Sequence, residues 1–146
     1  MPVATPPLVA HEAVAGRLDH AIVREINHVR ARYGRRSVHV TKRLRRLAHH
    51  HTLDMLRHDK FSHDGDGTTF DQRIHARVHY RKVGETLAMM PRRTSARRIV
   101  AAWLHSPPHR AVLLDPSYRR IGVAGARGSM GHGRAYLVTA DFSTWR

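Results

Sequence analysis

Apolar residues recur at steps of three and four along the first part of the chain. This is the spacing of one face of an α-helix. The first helical segment is predicted from Leu18 and is followed by Gly34, a residue type that commonly ends helices. Its apolar face consists of Leu18, Ile22, Ile26, Val29 and Tyr33.

A second helix is predicted after Thr41, whose hydroxyl is suited to an N-cap. Its apolar stripe consists of Leu44, Leu47, Ala48, His51 and Met55. The Asp- and Gly-rich stretch 59–69 is predicted to be a loop, and Phe70, Ile74 and Val78 indicate a short helix over 70–78. The segment 84–88 has no clear periodicity, so its secondary structure stays open.

The last third of the chain changes from helical to strand patterning. Thr94 or Ser95 is predicted to cap a helix that turns Ile99, Val100 and Trp103 inward, and Pro107 with Pro108 is predicted to end it. Segments 121–126 and 135–142 are predicted strands, joined through the glycines of 128–133. Helices followed by a hairpin predict an α+β sandwich whose sheet is covered by helices.

The length of 146 residues, with 41% hydrophobic and 25% charged positions, fits one compact domain. The proline-containing segment 1–17 is predicted to be an extended N-terminal arm, and 18–146 the domain. No apolar stretch is long enough for a transmembrane helix. The first ten residues lack the basic and long apolar regions of a signal peptide, so the protein either stays inside the cell or has lost a leader.

The composition excludes cysteine chemistry and favours anionic partners. The absence of cysteine excludes a disulfide scaffold, a zinc ribbon, a thiol nucleophile and a redox pair. A formal net charge of +15 favours nucleic acid, an anionic membrane surface or an acidic cell-wall polymer as a partner, although an arginine-rich composition alone gives the same charge. The basic residues predicted to form one continuous face are Arg35, Arg36, Lys42, Arg43, Arg45 and Arg46.

Most of the fourteen histidines are not expected to bind metal. In the run 49–51 the three rings point in different directions on a helix, and only His51 shares the apolar stripe, as a hydrogen-bonded core residue. His75 and His79 have a spacing of four that suits a metal ion. Because arginines at 73, 77 and 81 are interleaved with them, that face is expected to be a solvated surface that repels cations.

Three segments carry polar groups in loops or at the ends of elements, namely 61–65, 84–88 and 103–110. A histidine, a glutamate and a second histidine in one cleft suit a divalent ion, with the carboxylate as a ligand or behind an imidazole ring. Periodicity gives no distances between loops, so it does not bring these groups together.

These segments, in this order, closely resemble the bacterial, cysteine-free branch of the CAP superfamily. This superfamily unites cysteine-rich secretory proteins, antigen 5 and pathogenesis-related proteins, and its domain is also called SCP-like. The resemblance extends from about residue 18 to the end. The matching segments are Ile26–Arg30 with Tyr33–Gly34, Leu47–His51 with Asp54–Met55, Phe61–His63, Asp66–Gly67, Phe70–Ile74, Gly84–Glu85, Trp103–Arg110, Tyr118–Val123 and Asp141–Phe142.

The resemblance implies a three-layer α-β-α sandwich with a central three-stranded antiparallel sheet and a large cleft. It places His63 and His109 at the family's two cleft histidines and Glu85 at one of its two acids. The place of the second acid falls near Ser106, which is therefore expected to bind ligand together with His63, Glu85 and His109. Thr86 replaces the family's Asn. Zinc or another divalent cation is implied at His63 and His109, with Glu85 as a ligand or behind them; the alternative is that both rings only hydrogen-bond to Glu85.

Three functions remain open. The resemblance implies a secreted or cell-surface domain that binds a ligand in the cleft, with lipid, peptide and glycan as the candidate classes. A basic polyanion-binding protein without cleft chemistry is the alternative. A metal-assisted hydrolase with Glu85 as the base is a weaker one, because no arrangement of serine, histidine and aspartate requires catalysis. No oligomeric state follows from the sequence.

Overall fold

A computed structural model describes residues 8–65, 67–75 and 80–145, with side chains from Gly16 onward. In chain order the elements are α1 (Leu8–Arg32), β1 (His39–Val40), α2 (Lys42–Arg57), α3 (Phe70–His75), β2 (Val83–Pro91), α4 (Ala96–Leu104), α5 (Pro107–Leu113), β3 (Arg120–Met130) and β4 (Gly133–Ser143).

The sheet has the strand order β1-β3-β4-β2. The three long strands pair antiparallel, as the resemblance implied. The two-residue β1 pairs parallel with β3 through His39 and Val40, so the sheet is mixed and four-stranded rather than purely antiparallel and three-stranded. The strand β2 forms the opposite edge, where Glu85 lies.

The helices cover both faces of the sheet and confirm the α+β sandwich. Alternate residues of β4, from Tyr136 to Phe142, pack into the main core together with residues of α1 and α4. The residues between them face α2, where Thr52 hydrogen-bonds to Thr139 at 2.8 Å. The α2 face is therefore partly polar, while the opposite face is an apolar core.

The predicted start and buried face of α2 are confirmed. Thr41 Oγ1 accepts a hydrogen bond from the amide of Leu44 at 3.2 Å, which is the N-cap arrangement. The residues predicted as the apolar stripe are all buried, His51 included. In α4 the cap is Ser95, whose hydroxyl accepts from the amide of Arg98 at 3.2 Å. Both helices thus begin where local side-chain chemistry satisfies free backbone amides.

Three local predictions are corrected or extended. The helix α1 begins at Leu8, so residues 8–17 are helical rather than extended, while residues 1–7 lie outside the described part of the chain. The domain boundary at residue 17 stays a prediction. The helix α3 covers 70–75 of the predicted 70–78, and 76–78 lie outside the described residues. Segment 84–88, left open above, is part of β2.

The two prolines begin a helix instead of ending one. α4 ends at Leu104, and Pro107 and Pro108 occupy the first turn of α5. Proline is tolerated there because the amides of the first turn have no partner within the helix. This helix carries His109, so the correction changes the context of a candidate site residue.

Asp19 on α1 is expected to make folding stability fall as pH rises. Its Oδ1 accepts hydrogen bonds from the amide of Gly125 at 3.0 Å and from the hydroxyl of Tyr136 at 3.5 Å. Burial raises the pKa of Asp19 from 3.8 to about 7. In the unfolded chain the carboxyl loses its proton first, so its contribution is full below pH 3.8 and is lost as pH rises towards 7.

The measurement is urea unfolding of wild type and Asp19→Asn across this pH range. The amide keeps an acceptor for Gly125 but cannot ionise. The free energy of unfolding of the variant should therefore fall much less with pH than that of wild type. The difference is about 1.4 kcal/mol for each unit by which the pKa of Asp19 is raised. Glu25→Gln, on the same helix, is the control. Parallel curves for wild type and Asp19→Asn would contradict this expectation.

Candidate functional site

Glu85 is a buried carboxylate in β2 with both oxygens bound. Its Oε1 accepts a hydrogen bond from Nδ1 of His63 at 2.9 Å, and its Oε2 accepts from Nη2 of Arg73 at 2.6 Å. Its side chain is 1% exposed, whereas that of His63 is 49% exposed. The carboxylate therefore lies behind the imidazole ring rather than at the surface.

The loop between α2 and α3 is attached to the sheet through His63 and Arg73. Besides Glu85, Nη2 of Arg73 binds the backbone oxygen of His63 at 3.0 Å. Because Nδ1 of His63 donates to Glu85, Nε2 is the acceptor in the neutral ring. Such a hydrogen bond fixes both the tautomer and the orientation of an imidazole.

The charge of Glu85 is stabilised by its neighbours. Burial alone would raise the pKa of this carboxyl, but the hydrogen bond from His63, the neighbouring Asp141 and the guanidinium of Arg73 lower it below its ordinary value. Glu85 is therefore an ionised hydrogen-bond acceptor at neutral pH. A group with this lowered pKa is a weak base.

Asp141 is a fully buried acid that the sequence analysis did not single out as a site residue. It pairs directly with Glu85 across the β2–β4 ladder. Burial, followed by the charge of Glu85, raises the pKa of Asp141 well above its ordinary value. Two carboxyls in contact favour one retained proton. The sequence feature that could have indicated this buried acid is the position of Asp141 within the apolar run of the last strand.

His51 is a core histidine, as predicted. Its Nε2 lies 2.7 Å from the backbone oxygen of Ser62 and 3.9 Å from Oε1 of Glu85. Burial lowers the pKa of His51, so the neutral ring donates from Nε2 to Ser62. This hydrogen bond holds the segment that precedes His63.

His109 belongs to the other helical layer. It lies on α5, which packs against β2, and its side chain is partly buried. Burial and the nearby His63 lower the pKa of His109, which favours its neutral form. The structure thus joins His63 to Glu85 by a hydrogen bond and brings His109 into the electrostatic neighbourhood of His63.

Ser106 is the N-cap residue of α5. Its backbone oxygen accepts from the amide of Arg110 at 2.8 Å, and its hydroxyl makes no capping hydrogen bond. Within the described residues no hydrogen bond joins its side chain to His63, Glu85 or His109. A ligand-binding role for Ser106 stays a prediction.

Arg73 corrects the interpretation of α3 as a wholly solvated basic face. Its side chain is 13% exposed, and it forms the ion pair with Glu85. His75 is exposed, in agreement with a surface role, and His79 lies outside the described residues. Arg73 was missed because its partner lies on a strand, beyond the reach of helical periodicity.

Three residues close to His109 in the sequence, Trp103, Arg110 and Asp115, also have structural contacts. Asp115 forms an ion pair with Lys82. The guanidinium of Arg110 lies 4.8 Å from the ring centroid of Tyr33. Trp103 is a core residue whose Nε1 donates to the backbone oxygen of Leu87 at 2.9 Å.

The donor set fits a metal ion only in part. Among the described residues, no group of three or more histidine, aspartate or glutamate side chains is placed to hold one. Both oxygens of Glu85 are already bound, so the available donors are the two imidazoles of His63 and His109. Two nitrogen ligands suit a labile site whose remaining positions are filled by water or ligand.

Two cavities border Arg73 on the α2 side. One has a volume of about 390 Å³ and is lined by Arg43, Arg46, Leu47, His50 and Arg73. The other has a volume of about 280 Å³ and includes His51, Asp54 and Gly65 in its lining. Arg73 therefore connects the Glu85 centre with open space beside α2.

Among the described residues, no helix is long and apolar enough to cross a membrane.

Comparison with known families and proteins agrees with the fold. Residues 23–142 match the model of the cysteine-rich secretory protein family, known as CAP. The Bacillus subtilis (strain 168) protein YkwD is 27% identical over 104 residues, which are 70% of this chain and 40% of that protein. The chain thus spans less than half the length of this relative.

Solved structures share the fold at low sequence identity. An extracellular protein containing an SCP domain from Bacillus anthracis str. Ames superposes with a TM-score of 0.79 at 20% identity, over 97% of this chain and 45% of that one. An outer surface protein from Borrelia burgdorferi superposes with a TM-score of 0.69 at 24% identity, over 84% of this chain and 90% of that one. A cysteine-rich secretory protein from Staphylococcus aureus subsp. aureus Mu50 superposes with a TM-score of 0.65 at 13% identity, over 94% of this chain and 41% of that one.

Proposed function

The chain belongs to the cysteine-rich secretory protein (CAP) family, and on this basis we propose that it is a secreted or cell-surface domain that binds a ligand at His63 and His109. The observation that carries the proposal is the buried Glu85, which orients the half-exposed ring of His63. A hydrogen bond from a buried carboxylate fixes the orientation of an exposed imidazole, which makes the ring a well-defined binding group.

The location outside the cell is supported by the solved relatives. Two of the structures that share the fold are described as an extracellular protein and an outer surface protein. A chain without cysteine contains no disulfide, so its fold does not depend on the redox state of the compartment.

The polarity of the site favours a glycan or a peptide over a lipid. A neutral His63 offers Nε2 as an acceptor, which suits the hydroxyl groups of a sugar or the amides of a peptide. The lowered pKa of His109 favours its neutral imidazole at pH 7, which offers a further polar group to the ligand. A lipid tail would instead require an apolar lining.

A divalent cation, with zinc as the natural choice for imidazole ligands, is proposed as a weakly held component of this site. His63 and His109 would hold it, and Glu85 would act from behind His63. When bound, such an ion supplies a Lewis acid that attracts ligand oxygens. Hydrolysis has less support, since the occupied oxygens and lowered pKa of Glu85 make it a poor general base.

Zinc is expected to raise the melting temperature of the wild-type protein near neutral pH. At a zinc concentration about 100 times the Kd, the stabilisation would be about 2.7 kcal/mol. His63→Ala and His109→Ala should each remove this increase. Glu85→Gln should weaken zinc binding by about 10- to 100-fold, since Glu85 only orients His63.

His28→Ala is the matched control, because it also removes one imidazole but at an exposed position on α1. It should keep the wild-type response. An equal response in the His28, His63 and His109 variants would assign the effect to surface histidines and would contradict the metal proposal. Glycan or peptide binding that survives both cleft substitutions would contradict the ligand site itself.

A further inference from the structure

The cavity of about 390 Å³ beside α2 is lined almost entirely by cationic or ionisable groups. We propose that this cavity is a binding site for a phosphoryl group, with the arginines 43, 46 and 73 as its ligands. The site adjoins the one proposed for His63 and His109 through Arg73, but its ligands include neither histidine. It does not depend on the metal or on the identity of the cleft ligand.

Two of the arginines have no anionic partner in the described part of the chain. Arg43 and Arg46 are exposed and lie three positions apart on α2, so their side chains are neighbours on the helix surface. No acidic residue occurs in the first turn of α2, where the helix dipole adds positive potential. An anion between these guanidinium groups would relieve their mutual repulsion.

The third arginine has unused donors within the fold. Nη2 of Arg73 binds Glu85 and His63, but Nε and Nη1 are buried and have no hydrogen-bond partner. Leaving buried donors unpaired costs free energy. Both atoms are closed off from solvent, so the Arg73 side chain, which lines the cavity, has to turn toward it before a ligand oxygen can pair with them. These unpaired donors distinguish the cavity from an ordinary basic surface, where solvent satisfies every donor.

The size and the apolar wall of the cavity indicate the class of ligand. Leu47 belongs to an apolar cluster with Leu44 and Ile74 and forms one wall. Pockets of about 300–1,000 Å³ are typical of small-molecule sites, so there is room for an organic group beside the anion. Arginine is the preferred partner of phosphate, whose oxygens accept several charge-assisted hydrogen bonds. A phosphoryl group on a small polar molecule fits these features.

The proposed site uses two residues of the basic face predicted from the sequence, Arg43 and Arg46. Of the basic residues assigned to that face, Arg35 is partly buried and its Nε donates to the backbone oxygen of Leu114 at 2.7 Å. Arg45 and Arg46 both line a second hollow, which has Asp19 in its lining. Arg43 and Arg46 line the cavity that also includes Arg73.

Calorimetric titration of the full chain tests the proposal, with inorganic phosphate and glycerol 3-phosphate as probes and chloride to keep the ionic strength constant. One saturable site is expected for wild type. Arg43→Gln and Arg46→Gln should each weaken binding at least about tenfold, the loss of one charge-assisted contact. Arg97→Gln on α4 is the control and should bind as wild type does.

Further outcomes separate this site from the others. His63→Ala should keep phosphate binding, and Arg43→Gln should keep the zinc response, so either proposal can fail alone. Equal affinities of the Arg43, Arg46 and Arg97 variants would overturn the phosphoryl site. So would the absence of saturable phosphate binding together with strongly salt-dependent binding of duplex DNA, which would indicate a diffuse basic surface instead.

Discussion

Replacement of Arg30 by methionine should lower the free energy of unfolding by at least about 3 kcal/mol, because buried carbonyl groups would lose their donors. Arg30 lies on α1 and is 0% exposed. Its nitrogens donate to the backbone oxygens of Arg36 at 2.8 Å, Leu113 at 2.6 Å, Asp115 at 3.1 Å and Tyr118 at 3.2 Å. One guanidinium thus joins α1 to the end of α5 and to the segment that leads into β3.

Urea unfolding measures this effect. Methionine keeps the apolar stem of the side chain, so the loss reports the hydrogen bonds rather than a cavity. Arg30→Lys should recover only part of the stability, since an ammonium group cannot reach all these oxygens in a planar arrangement. A loss below about 1 kcal/mol in Arg30→Met, the net value of a single hydrogen bond, would contradict the assigned role.

Gly122→Ala should destabilise the protein by about 3 kcal/mol or more and should also disturb the candidate site. A Cβ atom at this position in β3 would lie 2.1 Å from the backbone carbon of Leu44 and 2.2 Å from the amide nitrogen of Arg45. These atoms belong to the backbone of α2, so the whole helix must move away from the sheet. Overpacking usually costs about 1–3 kcal/mol, and more when the backbone must shift.

The displacement would reach the site because Gly122 pairs with Asp141, which pairs with Glu85. The variant should therefore show both a lower melting temperature and weaker zinc binding. Gly133→Ala is the control, since a Cβ there meets no atom within 4 Å. Wild-type stability and zinc response in Gly122→Ala would show that α2 tolerates a larger separation from β3.

The features that sequence predicts well here are local ones. The stripe of α2 and its Thr41 cap depend on residues within a few positions of each other, and the structure confirms both. The beginning of α5 was missed although it is also local, because Pro107 is compatible with both the end and the first turn of a helix. The short parallel strand β1 has only two residues and gives no periodic pattern.

The candidate site could be predicted only through its resemblance to a family. His63, Glu85 and His109 are far apart in the sequence, and helical or strand periodicity gives no distance between them. The ion pair of Arg73 with Glu85 and the pairing of Asp141 with Glu85 follow from strand register and loop packing. These contacts are tertiary, so single-sequence patterns on α3 and β4 do not contain them.

The central claim is that His63 and His109 form one ligand-facing surface oriented by Glu85. Side-chain NMR of the histidine rings during zinc titration at neutral pH tests it most directly. We expect the His63 and His109 resonances to change together with a single midpoint, before those of exposed histidines such as His28. Independent midpoints for the two rings, or changes that merely accompany those of the surface histidines, would contradict a shared site.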